Sequence, residues 1–145
     1  EIFAQAAEKG LPQPVELEEV DGGKKVTFYI DRKNYTHVTD RVFRLGSLEP
    51  YLPYFQGLLQ PGPEDIILEV YDYAFEEYSG DKEVEAVLRN SSIELDVYIR
   101  GTIEEHAGGQ RIPGKEGYAA GIRYRIPLLK ILTLEKPIKY SIVFR

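Results

Sequence analysis

Three short stretches carry residue types suited to chemistry, and each fails on spacing or neighbours. Gly109–Gln110–Arg111–Ile112–Pro113–Gly114–Lys115 follows the order G-x-x-x-x-G-K of a phosphate-binding loop. Such a loop cradles phosphate in backbone N–H groups and needs Ser or Thr after the lysine to hold magnesium. Glu116 stands there instead and repels phosphate, and Pro113 has no N–H to donate. The flanks read strand–strand, so a hairpin loop is the expectation. Glu104, Glu105 and His106 offer carboxylates beside an imidazole, the ingredients of acid–base catalysis. Neighbours on a strand point to opposite faces, so these three are read as a solvated strand end. Asn34–Tyr35–Thr36 and Asn90–Ser91–Ser92 are glycosylation sequons, which matter if the chain is secreted.

Composition narrows the chemistry further. The 145 residues contain no cysteine and two histidines, His37 and His106. That removes thiolate nucleophiles, disulfides and cysteine-held zinc or iron–sulfur sites. The expectation is no catalytic, metal or cofactor-binding residue, and no enzyme. A formal net charge of −6 argues against a general nucleic-acid grip and against sequence-specific binding to it. No apolar run reaches the roughly 20 residues that span a bilayer, and no signal peptide is read. The chain opens on Glu1 rather than Met, so a processed or trimmed N-terminus is expected. Met and Trp are absent as well as Cys, which leaves a designed origin open.

The elements that must position these residues read as mainly β. The expected fold is an antiparallel β-sandwich or barrel with one or two short helices, in a single domain over 1–145. Residues 1–9 suit one or two helical turns, with Gly10 as a C-cap. Residues 1–20 form an arm or edge strand, and the two prolines near 11–20 suit an edge. Asp21–Gly22–Gly23 turns that segment into 24–31, giving a hairpin. A strand is expected near 41–45 and a short helix over 48–59. Ile66, Ile67, Val70, Tyr71 and Ala74 make a helical stripe within 64–78, yet the β-branched and aromatic content favours a strand there. Residues 82–89 alternate through Val84, Ala86 and Leu88.

The clearest strand is 92–104, with Ile93, Leu95, Val97, Ile99 and Ile103 facing one way and Glu94, Asp96 and Glu104 the other. A Gly-rich loop over 105–117 follows. Strands at 118–134 and 138–144 close the chain, and Pro127 suggests an edge or bulge.

From Leu45 onward the order of elements resembles the major tail tube proteins of contractile-tailed phages. Leu45–Gly46 opens the run, and a short helix follows over 48–59. Arg100–Gly101 ends a strand, with Glu104 and Glu105 behind it. Gly108, Gly109, Gly114, Lys115 and Glu116 make the loop, and Leu132–Thr133–Leu134–Glu135–Lys136 the final turn.

The resemblance implies a virion-tail subunit that assembles with itself into hexameric rings. The rings stack into a DNA-conducting tube, bordered by sheath or neighbouring tail proteins. Glu94, Asp96 and Glu104 would then line an acidic lumen past which phosphates slide. Gly108, Gly109, Gly114 and Lys115 would form an assembly loop. The alternative is an extracellular β-sandwich filament or adhesive subunit that assembles by strand exchange, glycosylated at Asn34 or Asn90. A small-molecule barrel or enzyme is the third class, supported by fold class alone.

Overall fold

A computed structural model describes residues 13–45, 60–79 and 83–145, together with Ser47, Pro50, Pro53 and Leu58. The helical turns expected at 1–9 and most of the helix expected at 48–59 lie outside the described residues. The chain is mainly β, with two antiparallel sheets and, among the described residues, four helices. Strand β1 (Val15–Val20) turns through Asp21–Gly22 into β2 (Gly23–Ile30), forming the expected hairpin. Helix α1 (Tyr35–Leu45), α2 (Glu64–Ser79) and α3 (Val84–Asn90) follow. Then come β3 (Ser92–Ile99), β4 (Ile103–Ala107), β5 (Gln110–Lys115), β6 (Tyr118–Pro127), α4 (Leu128–Thr133) and β7 (Ile138–Phe144).

Four strand expectations are corrected. Residues 35–45 are helical, entered through a reciprocal capping pair. Asp31 Oδ1 accepts the Lys33 and Asn34 N–H groups at 2.8 and 3.0 Å, and Asn34 Oδ1 accepts the Asp31 N–H at 2.9 Å. Residues 64–79 take the helical period, which turns Ile67 and Tyr71 inward together. At 84–90 the apparent alternation is an i, i+4 pair, with Val84 and Leu88 buried and Ala86 exposed. Pro127 ends β6, and residues 128–133 coil into α4 rather than extending the strand. The segment expected as a Gly-rich loop is mostly strand: β4 runs to Ala107 and β5 begins at Gln110.

Strand 92–104 also divides. β3 ends at Ile99, and the chain crosses to the other sheet through Arg100–Gly101. There Thr102 and Arg145 exchange backbone hydrogen bonds of 2.8 and 3.0 Å. One sheet runs β1-β2-β7-β4 and the other β3-β6-β5.

The sheets pack face to face over one core. Ile122, Tyr124 and Ile126 of β6 meet Ile138 and Ile142 of β7, with Val26 and Phe28 of β2 packed alongside. Tyr124 stacks on Tyr140 at 4.3 Å and tilts against Phe28 at 6.3 Å. Tyr35 from α1 and Leu134 after α4 complete this core. A second cluster unites α2, α3 and α4 through Ile67, Val84, Leu88 and Leu132. Arg32 ties the two together by donating to the Thr133 carbonyl at 2.9 and 3.1 Å.

Gly108 and Gly109 make the whole connection from β4 to β5, and both have positive φ, 74° and 70°. A Cβ on Gly109 would lie 2.7 Å from Ile122 and 2.8 Å from Tyr124. Gly117, in the β5–β6 turn, also has positive φ but meets nothing within 4 Å. Gly117→Ala therefore costs backbone strain alone, about 1–2 kcal/mol. Gly109→Ala adds overpacking and costs about 2–5 kcal/mol. Urea denaturation of both variants separates the two terms.

Among the described residues the buried Tyr124 hydroxyl has no hydrogen-bond partner, and burial pushes its pKa up to about 12. Tyr124→Phe is expected to leave stability unchanged or raise it by about 1 kcal/mol, because no hydrogen bond is lost. The same denaturation experiment reads this change.

Candidate assembly surface

The carboxylates and glycines singled out in the sequence are scattered across the fold. Glu94 and Asp96 share the outer face of β3, opposite Arg125 and Arg123 of β6. Arg123 grips Asp96 with two hydrogen bonds of 2.8 Å. Arg123 and Arg125 also approach Glu94 at 3.9 and 3.8 Å. Glu104 sits on β4 in the other sheet and pairs with Arg145 at 2.8 Å. The three expected lumen residues therefore do not form one acidic face. Glu94 and Asp96 are balanced by arginine, and Glu104 lies elsewhere.

Of the expected assembly loop, Gly108 and Gly109 form a tight corner against Tyr124 and Tyr140, while Gly114 and Lys115 belong to β5. Lys115 rests its ammonium 3.9 Å from the Tyr98 ring centroid. Glu105 and His106 do not converge with Glu104 on a shared partner, and His106 Nδ1 lies 2.7 Å from the Gly108 carbonyl. Among the described residues no group of three or more His, Asp or Glu side chains could hold a metal ion. No described helix is long and apolar enough to cross a membrane.

The two sequons differ. Asn34 is fully buried, and its amide donates to the Tyr29 carbonyl at 2.9 Å, so a glycan there would break the turn that leads into α1. Asn90 is exposed at the end of α3.

Sequence reasoning placed an edge strand within residues 1–20, where β1 is an edge, but passed over β3, whose edge carries the surface most suited to binding. On one side of the sandwich β4 and β5 are joined by the glycine corner. Arg111 of β5 reinforces it by donating to the carbonyls of Ile103 and Glu104 at 2.9 and 3.2 Å. Tyr124 of β6 contacts both Phe28 of β2 and Tyr140 of β7, so β6 lies over the β2–β7 pair. β4 is tied at both ends to the other sheet, to β3 through Arg100–Thr102 and to β5 through Gly108–Gly109. Apolar side chains of β1 and β3 stay uncovered all the same. Leu17 stands opposite Val26 on β2, and Ile93 and Leu95 stand opposite Ile126 and Tyr124 on β6, so all three point to the core side. They nevertheless remain 61%, 48% and 40% exposed.

The four edges are guarded unequally. β4 has five residues and a register irregularity between Ile103 and Glu105. β5 carries Pro113 and Gly114, and β1 carries Glu16, Glu18 and Glu19. Short length, bulges, proline and charge are the devices that blunt an edge. β3 has eight residues in unbroken register with β6, no proline, no lysine and two exposed apolar side chains, and its charges, Glu94 and Asp96, are balanced by arginines of β6. Its outer backbone groups have no strand partner among the described residues.

The hydrogen bonds from Arg123 hold the Asp96 carboxyl below the usual carboxylate range, against the opposing effect of burial. A lowered pKa in the folded state means stabilisation that is present above the unfolded value and lost as pH falls through the folded one. NMR titration should give Asp96 a midpoint below that of an unfolded aspartate. Arg123→Gln should return it toward the ordinary value, and an unchanged midpoint would refute the pairing.

No family model, curated protein or solved structure matches this chain.

Proposed function

We propose that the chain is a structural, self-assembling subunit of a tube of the phage tail-tube kind, in which hexameric rings stack around a DNA-conducting channel. The observation that carries the reading is the β3 edge, which has no strand partner among the described residues and lies beside uncovered Ile93 and Leu95. A strand from a second copy laid there would satisfy backbone groups and cover apolar surface in one step. The four-stranded and three-stranded sheets leave edges on both sides of the sandwich.

The pairing of Glu94 and Asp96 with arginine modifies the electrostatics of this reading. A channel lined by the outer face of β3 and β6 would be charge-balanced rather than acidic, and its low affinity for phosphate would come from engaged arginines. The overall charge of −6 still disfavours tight nucleic-acid binding.

The strand-exchange filament is less well supported. Residues 15–20 already pair with β2 of their own sheet, and Asn34 is buried.

Negative-stain electron microscopy over a range of protein concentrations tests the reading. Rings or hollow tubes are expected. Leu95→Lys should suppress them while leaving the circular dichroism spectrum unchanged, because the side chain is already partly exposed and a lysine on an edge opposes strand pairing. Thin solid fibres would favour strand exchange. Monomers at every concentration would refute assembly.

A further inference from the structure

Helix α2 presents a second uncovered surface, separate from the β3 edge. Ile66, Val70 and Tyr73 recur at i, i+4 and i+7, the spacing of one helix face. They stay 49%, 37% and 83% exposed, while Ile67 and Tyr71 supply the inward side. A helix that only covers a core carries polar residues at such positions, and an apolar stripe at anchor spacing marks an interaction face.

The charges beside the stripe identify what fits it. Asp65, Glu69 and Asp72 are exposed and form a band along one side of the stripe. The helix contains no lysine or arginine, so its last turn has no cation to offset the negative end of the helix dipole. Past the band, a cavity of about 300 Å³ opens between α2 and α3, lined by Leu68, Val84, Glu69, Asp72, Glu83 and Glu85. Arg89 engages Glu64 and Glu85, each at 2.8 Å. Among the described residues no cation pairs with Asp65, Glu69, Asp72 or Glu83.

We propose that this face of α2 docks a cationic amphipathic helix of a partner protein. The partner's apolar residues lie on Ile66, Val70 and Tyr73, and its lysines or arginines meet Glu69, Asp72 and the acidic groove. Charge argues against the other occupants. A second copy of α2 would set carboxylates against carboxylates, and a nucleic acid or anionic bilayer would be repelled.

The test uses the full chain and a labelled helical peptide of leucine and lysine, with leucines at i, i+4 and i+7. Fluorescence anisotropy is read at low and at physiological salt. Saturable binding is expected that weakens with salt. Tyr73→Ala and Asp72→Lys are each expected to weaken it at least about tenfold, with the circular dichroism spectrum unchanged. A scrambled peptide of the same composition should bind at least about tenfold more weakly. The β3-edge variant Leu95→Lys should bind the peptide normally, which separates this result from the fate of the tube reading. Absence of binding, equal binding of the scrambled peptide, or indifference to Tyr73→Ala would each overturn the proposal. So would self-association, or binding to phosphatidylserine vesicles, that Tyr73→Ala abolishes.

Discussion

The ring of Tyr124 is the contact on which the two sheets depend. It lies fully buried on β6, stacked on Tyr140 from β7 and tilted against Phe28 from β2. A large flat side chain in that place sets the spacing of the sheets and leaves no room beside it for a side chain in the β4–β5 connection. The connection is therefore two glycines, both at positive φ and both close to the Tyr124 ring. The unpartnered hydroxyl is a cost that the surrounding apolar contacts offset.

β4 is joined to the other sheet at both ends, through Arg100–Thr102 from β3 and through Gly108–Gly109 to β5, and neither tie covers Leu17, Ile93 or Leu95. The consequence is local and chemical: apolar side chains directed toward the core by the pleat, at Leu17, Ile93 and Leu95, find no opposite layer to cover them. The charged outer face of β3 and β6 is the reverse case. Its carboxylates and guanidiniums satisfy each other, so it offers less to a partner than its composition suggests.

Much of the sheet was legible in the chain. The β1–β2 hairpin announces itself through Asp21–Gly22, and β7 through its alternation of Ile138, Tyr140 and Ile142. The helices were harder, for identifiable reasons. In α3, Val84 and Leu88 satisfy period two and an i, i+4 pair equally well over so short a run. In α2, β-branched residues that suit a strand sit at helical spacing, and burial of Ile67 and Tyr71 against one helical cluster outweighs their propensity. α1 carried a signal that can be read, since the Asp31–Asn34 pair is a helix-capping pattern. The carboxylates of the candidate lumen were identified as residues but not as partners, because Asp96 and Arg123 are 27 positions apart.

What the sequence determined by itself is local: the mainly β character, the hairpin, and the absence of cysteine chemistry. These follow from residue type and short-range periodicity. What only the tertiary structure decided is which faces are covered. Ile93 and Ile99 look alike in the alternation of β3, yet one is half exposed and the other buried. Periodicity states which side of a strand a residue occupies. Whether another layer lies over it depends on strand order, and strand order is set by packing between residues far apart in the chain.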